Sequence, residues 1–217
     1  MTKHRIVYVD EERKEIRAFQ RKFSNEFEVI GLLPKRELDE MVDAVLDCDA
    51  KAVVTDFKLA EYKTDLKYAV PYDGVNLVQS IREIRHGFPC FILTSFDGDA
   101  IKESEDVNLI YAKDALNYKI GDTTLQEKVR VQIEHYDSLI KQASDDFNKL
   151  MDKSANGSLT EREEDRLQEL DTLLERSYNA KRALPKTAKQ DTGIKKLGKL
   201  LKSTDDLIQV LRKERKK

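Results

Sequence analysis

The sequence predicts an α/β protein, a five-stranded doubly wound parallel sheet followed by an all-α helical module. Three observations carry that prediction. Short apolar, β-branched runs alternate with segments of helical period through the first half of the chain. Each of those runs is too short for a helix and is apolar on both faces, as strands covered on both sides must be. From Thr123 onward the strand signals stop and apolar residues recur at steps of three and four.

In order, Ile6–Val9 is the first strand candidate and stops at Asp10-Glu11-Glu12. Ile16, Phe19, Gln20 and Phe23 then follow helical spacing. Phe27-Glu28-Val29-Ile30-Gly31 reads as a second strand, and Leu38, Met41, Val42, Val45 and Leu46 as a second helix begun after Pro34. Ala52-Val53-Val54-Thr55-Asp56 is a third strand ending in an acid. Residues 59–72 are polar and irregular, longer than the ~2–6 residues usual for a βα connection. Asp73-Gly74 turns into a third helix carrying Val75, Leu77, Val78, Ile81 and Ile84, which Gly87 and Pro89 end. Phe91-Ile92-Leu93 is a fourth strand ending in Thr94-Ser95; a weakly patterned helix follows over 99–105. The fifth strand, 109–112, ends at Lys113.

Composition bounds the function. Of 217 residues 40% are hydrophobic and 37% charged, which suits a soluble core with a heavily charged helical remainder. A net charge of -2 gives no global argument for nucleic acid or membrane. Cys48 and Cys90 alone support neither a disulfide framework nor a zinc site. Four apolar residues separate Arg5 from Asp10, too few for a signal peptide, and no later run could span a bilayer. The expected location is cytoplasmic. There is no glycine-rich phosphate loop, no clustering of His4, His86 and His135, and no nucleophile elbow.

In a parallel sheet all strand ends lie on one edge, where open α/β folds place their chemistry. Asp10, Glu11, Asp56, Thr94 and Lys113 would therefore meet. Asp56 alone could be a turn-starting residue after a strand; in this company it becomes a candidate nucleophile. Clustered carboxylates need a counter-charge to stay ionised together. Mg²⁺, a hard cation that prefers oxygen ligands, would supply it. Thr94 and Lys113 are the groups one would choose to hold an incoming phosphoryl oxygen.

The order acidic pair, strand-end Asp, hydroxyl, lysine resembles the receiver domain of two-component response regulators, over roughly residues 4 to 130. Asp73-Gly74-Val75-Asn76-Leu77 also resembles the family's Asp-Gly-x-x-Leu entry to the third helix. The resemblance implies a flavodoxin-like sheet of order 2-1-3-4-5 and a phospho-accepting domain over residues 1–122. It implies that Asp56 accepts a phosphoryl group from a histidine kinase or phosphotransfer protein. Glu11, Asp56 and the Lys58 backbone carbonyl would bind Mg²⁺ directly, with Asp10 acting through water. Thr94 and Lys113 would contact the phosphoryl group.

The sequence departs from the family at four places. Glu11 replaces the more usual second Asp. The 59–72 segment is longer than the family norm and reads as a lid, a partner-docking loop or, the favoured reading, a tolerated insertion. Ile110 stands where many receivers carry an aromatic that swings on activation, while Tyr111 should point to the other face. Phe96, two residues after Thr94, should shield the acyl phosphate from water. A haloacid-dehalogenase-type phosphatase would need a second Asp where Lys58 stands, so no enzyme output is expected.

The second half, 123–217, is expected to be a coiled-coil-like interaction module. Thr123-Thr124 is a candidate N-cap. Val129, Ile133, Tyr136, Ile140, Ala143, Phe147 and Leu150 form one seam, which Asn156-Gly157-Ser158 ends. A second seam includes Leu167, Leu170, Leu174, Ser177 and Leu184. A third runs from Ile194 to Leu211, with Lys195, Lys196, Lys199 and Lys202 beside it, into the basic tail 212–217. An intramolecular hairpin and a homodimer would use the seams equally well. Leu159-Thr160-Glu161-Arg162-Glu163 resembles the opening of one regulator subfamily's helix-turn-helix. An uninterrupted leucine seam follows instead of a turn and a basic recognition helix, which argues against nucleic acid.

The expected function is a response regulator whose helical module binds an unknown protein partner or oligomerises. The alternatives are a DNA-binding transcriptional regulator and a phosphate sink. From Phe96 we expect a long-lived phospho-form; loss of phosphoryl label within seconds, with no phosphatase present, would contradict that.

Overall fold

The computed structural model describes residues 3–59, 68–95, 107–118 and 121–179. The weakly patterned helix over 99–105, Phe96 and the third seam lie outside the described residues. The chain divides into two compact units, 1–139 and 140–217.

The first unit is a five-stranded sheet of order β2-β1-β3-β4-β5. Its strands are β1 (His4–Val9), β2 (Phe27–Leu32), β3 (Ala52–Asp56), β4 (Cys90–Thr94) and β5 (Ile110–Ala112). Every pairing is parallel, with Val9 opposite Thr55, Asp56 opposite Leu93 and Thr94 opposite Ala112. The expected sheet and order are therefore present. The helices between strands are α1 (Arg13–Phe23), α2 (Leu38–Leu46) and α3 (Gly74–Ile84). Two further helices, α4 (Leu125–Asn156) and α5 (Glu161–Asn179), make the C-terminal part helical.

The period of two in each strand sorts side chains into two cores. Val7, Val9, Val53, Cys90 and Ile92 join Met41, Val45, Leu77 and Ile81 from α2 and α3. Ile6, Tyr8, Ala52, Val54, Phe91 and Leu93 join Ile16, Phe19 and Phe23 from α1, and Leu125, Val129 and Ile133 from α4. Strands β3 and β4 are buried along their whole length, which is why they read as unbroken apolar runs. Ile110 packs with the first core and Tyr111 with the second, so the two residues do face opposite ways.

The starts of α3, α4 and α5 are fixed by short polar devices, whereas α1 and α2 begin without a side-chain cap. Asp73 and Asn76 form a reciprocal capping box at α3. Thr124 Oγ1 accepts from the Glu127 N–H at 3.2 Å, and Glu127 accepts from the Thr124 N–H at 2.7 Å. Thr160 and Glu163 repeat part of the device before α5, where Glu163 accepts from both the N–H and the hydroxyl of Thr160 at 3.0 Å.

Among the described residues of the second unit, Ile140, Ala143, Leu167 and Leu170 are the buried apolar positions, all drawn from the two expected seams. The break at 157–160 lies where Asn156-Gly157-Ser158 signals it, and Lys153 bridges it to Glu163 at 2.5 Å. Helix α5 continues without interruption from Glu161 to Asn179.

Gly74 has a specific steric role. A Cβ there would lie 2.2 Å from the backbone oxygen of Asp56, and its N–H donates to the Phe57 carbonyl at 2.8 Å. The start of α3 thus rests on the end of β3. Gly74→Ala should cost about 1–3 kcal/mol, because backbone rather than a flexible side chain would have to move. Asp73→Ala should cost only about 1 kcal/mol, through loss of the cap. Urea unfolding of both variants checks the order; an equal or smaller loss for Gly74→Ala would contradict it.

Candidate functional site

The carboxyl-terminal edge of the sheet collects the expected polar residues. β1 leads into Asp10 and Glu11, β3 ends in Asp56, β4 ends in Thr94, and Lys113 follows β5 directly. Exposure is 1% for Asp10 and Glu11, 5% for Asp56 and 6% for Thr94. Burying so many polar groups at one edge is costly unless they satisfy one another.

Lys113 links two of them, Asp56 and Asp10. Its ammonium lies 2.9 Å from Asp56 Oδ1 and 3.8 Å from Asp10 Oδ2. Asp10 is further held by the Tyr8 hydroxyl, which donates to Oδ2 at 2.8 Å, and by the Glu12 N–H, which donates to Oδ1 at 2.8 Å. The second contact is an Asp binding the backbone two residues on, just before α1. Lys58 follows β3, two residues after Asp56, and is exposed.

These contacts set the electrostatics. Burial raises the Asp56 carboxyl to about 6; the Lys113 charge opposes that rise and Asp10 adds to it. Burial raises Asp10 also, against the Glu12 N–H and Lys113. Burial works to lower Lys113, but the Asp56 and Asp10 carboxylates outweigh it and raise the ammonium's pKa. Asp56 remains largely ionised at neutral pH.

Among the described residues no three His, Cys, Asp or Glu side chains are grouped as a metal ion needs them. In kind, however, the donor set fits a hard cation: among the described residues, the buried Asp10, Glu11 and Asp56 carboxylates outnumber the Lys113 ammonium beside them, and burial raises the pKa of Asp10 and Asp56. Mg²⁺ is the ion that chemistry suits.

Tyr8 was not expected in the site. The signal available in the sequence is its parity: position 8 in β1 and position 10 just past its end share a face, and a phenol is long enough to reach along it. Gly74, read in the sequence as a turn and as part of the Asp-Gly-x-x-Leu entry to the third helix, also belongs to the site's frame through its close approach to the Asp56 backbone.

The sheet order and the helices between its strands define a receiver-like α/β fold, followed by helices in the described C-terminal residues. No protein-family model and no curated protein matches the chain. Among solved structures, it is similar to the anti-anti-sigma factor PhyR from Bartonella quintana, at 12% identity over 66% of this chain and 52% of that one (TM-score 0.45). It is similar to the BeF3-activated DrrB receiver domain at 16% identity, covering 61% of this chain and 99% of that one (TM-score 0.43). A response regulator receiver domain protein from Clostridium thermocellum is 18% identical over 63% of this chain and 98% of that one (TM-score 0.44). The chain thus spans about half the length of the PhyR chain it matches.

The raised Asp56 carboxyl has a consequence for stability. The folded state holds this proton more tightly than the unfolded chain, whose carboxyl titrates near 3.8. Stability therefore falls as pH rises from about 4 to about 6, and stays lowered above that window. In metal-free protein Asp56→Asn should raise stability at pH 7.5 by roughly 1–3 kcal/mol, with the gain vanishing near pH 3.5. Denaturant titrations at the two pH values check this; a variant less stable than wild type at pH 7.5 would contradict it.

Proposed function

We propose that this chain is a phosphorelay response regulator in which Asp56 accepts a phosphoryl group from a phosphohistidine of a kinase or phosphotransfer protein. The observation that carries the reading is the contact of Lys113 with both Asp56 and Asp10 at the sheet edge. A buried carboxylate that is ionised at neutral pH, with an ammonium at 2.9 Å, is a competent nucleophile already beside its charge stabiliser.

In the transfer, an Asp56 oxygen attacks phosphorus as the P–N bond to the donor imidazole breaks. The bonding pair leaves with the imidazole nitrogen, and an acyl phosphate remains. Lys113 follows the growing charge onto a phosphoryl oxygen, and the Thr94 hydroxyl, buried at the end of β4, donates to another. Asp10, Glu11, Asp56 and the Lys58 carbonyl would hold Mg²⁺, which when bound neutralises charge on the phosphoryl oxygens. Asp10 also keeps Lys113 at the edge while Asp56 is being modified.

The division of labour we propose is phosphorylation in residues 1–122 and output in 123–217, in the cytoplasm. Output is read through protein contact or oligomerisation of the helices. The uninterrupted α5 favours this over DNA binding, since no turn separates a recognition helix within it.

Acetyl phosphate or beryllium fluoride with Mg²⁺, followed by light scattering, tests the proposal on wild type and Asp56→Ala. A response in wild type that Asp56→Ala lacks is expected. An identical response in both would remove Asp56 as the acceptor. Binding to a DNA panel should show no slope against log salt; a slope of several units would restore a nucleic-acid output.

A further inference from the structure

We infer that Tyr8 is a positioning residue of the acid site: its phenol fixes the Asp10 carboxylate in the orientation that a divalent cation and the Lys113–Asp56 pair require. The inference rests on the phosphotransfer reading and adds to it a residue that the receiver pattern does not include.

The geometry begins with the ring. Tyr8 is 1% exposed and stacks on Phe19 with centroids 4.0 Å apart and planes 4° from parallel. Phe19 stacks on Phe23 at 4.0 Å, and Phe23 meets Phe27 at 6.0 Å. A ring wedged between β1 and α1 in this column has little freedom, so its hydroxyl oxygen is a fixed point relative to both elements.

That fixed point donates to Asp10 Oδ2 at 2.8 Å, while the Glu12 N–H donates to Oδ1 at 2.8 Å. With a rigid donor on each oxygen, rotation about the last torsion of Asp10 is blocked and the plane of the carboxylate is set. Lys113 approaches the Tyr8-bonded oxygen at 3.8 Å, so the placement passes to the cation that pairs with Asp56. An aliphatic residue at position 8 would fill the core with no buried hydroxyl to satisfy; the hydroxyl is accommodated because its acceptor is the site's own carboxylate. Donors behind metal-binding carboxylates orient their ligands, and losing one typically costs about 10–100-fold in metal affinity.

The test compares wild type, Tyr8→Phe and Phe19→Leu in the full chain. Tyr8→Phe removes one oxygen and keeps the ring in its stack, whereas Phe19→Leu loosens the stack and keeps the hydroxyl. Mg²⁺ affinity is measured by calorimetry, the tyrosine environment by near-UV difference spectra, and competence by acetyl phosphate labelling. Wild type should show a tyrosine difference band on Mg²⁺ addition that Tyr8→Phe lacks, and Tyr8→Phe should bind Mg²⁺ about 10-fold more weakly. Phe19→Leu, which keeps the hydroxyl and loosens the stack that holds it, should melt earlier, keep the difference band and lose less Mg²⁺ affinity than Tyr8→Phe. If wild type binds Mg²⁺ and is labelled while Tyr8→Phe matches it in affinity, the positioning role is overturned and the phosphotransfer reading stands. Equal losses in Tyr8→Phe and Phe19→Leu would overturn it as well, by assigning the effect to packing. A wild type that neither binds Mg²⁺ nor takes label would remove both readings together.

Discussion

The described residues of the first unit are arranged around one electrostatic imbalance, buried carboxylates at the sheet edge held by the Lys113 ammonium. A parallel sheet makes that imbalance unavoidable once acids end β3 and follow β1, because its strand ends cannot be distributed over two edges. Lys113 is placed to moderate it, touching Asp56 and Asp10 at once. It does not cancel it, since burial still holds both carboxyls above their ordinary range. A site in that condition favours whatever brings more positive charge or removes a negative one.

The frame around the site is correspondingly rigid. β3 and β4 are buried throughout, so the positions of Asp56 and Thr94 are set by strands with no solvated face. α3 begins in van der Waals collision range of the Asp56 carbonyl, which only a glycine permits. The Tyr8–Phe19–Phe23 column holds the other side. Acids that repel one another need such support, because any slack in the backbone would relax toward separating them.

Much of this was legible in the sequence because the signals were local. The parallel strands announced themselves as short apolar runs with chemistry at their ends, and the start of α4 as a Thr123-Thr124 N-cap, where Thr124 and Glu127 bond reciprocally. Ile110 and Tyr111 were assigned to opposite faces by strand parity alone. Other features depended on three-dimensional company. Tyr8 is a core residue by every sequence criterion, and its bond to Asp10 exists only because both are buried on the same face. The seam of α4 posed a different problem. Leu125, Val129 and Ile133 cover the sheet, whereas Ile140 and Ala143 are buried in the second unit. One heptad spacing serves both tasks, so periodicity could locate the seam without dividing it.

Under the proposed reading, the same imbalance also determines how a phosphoryl group would be felt. Before transfer, Lys113 divides its charge between Asp56 and Asp10. An acyl phosphate on Asp56 would carry more negative charge, placed further from β3, and an ammonium on a flexible stem would move with it. Asp10 cannot follow, because the Glu12 N–H and the Tyr8 hydroxyl hold both its oxygens. The displacement is therefore directed along the edge toward β4 and β5 rather than shared by the whole site. β5 is the short strand at that edge, with Ile110 in one core and Tyr111 in the other. It is the least buried of the three strands that meet there, and so the one with the least packing to oppose a shift. A rigid acid pair on one side and a lightly held strand on the other give a local charge event a definite direction.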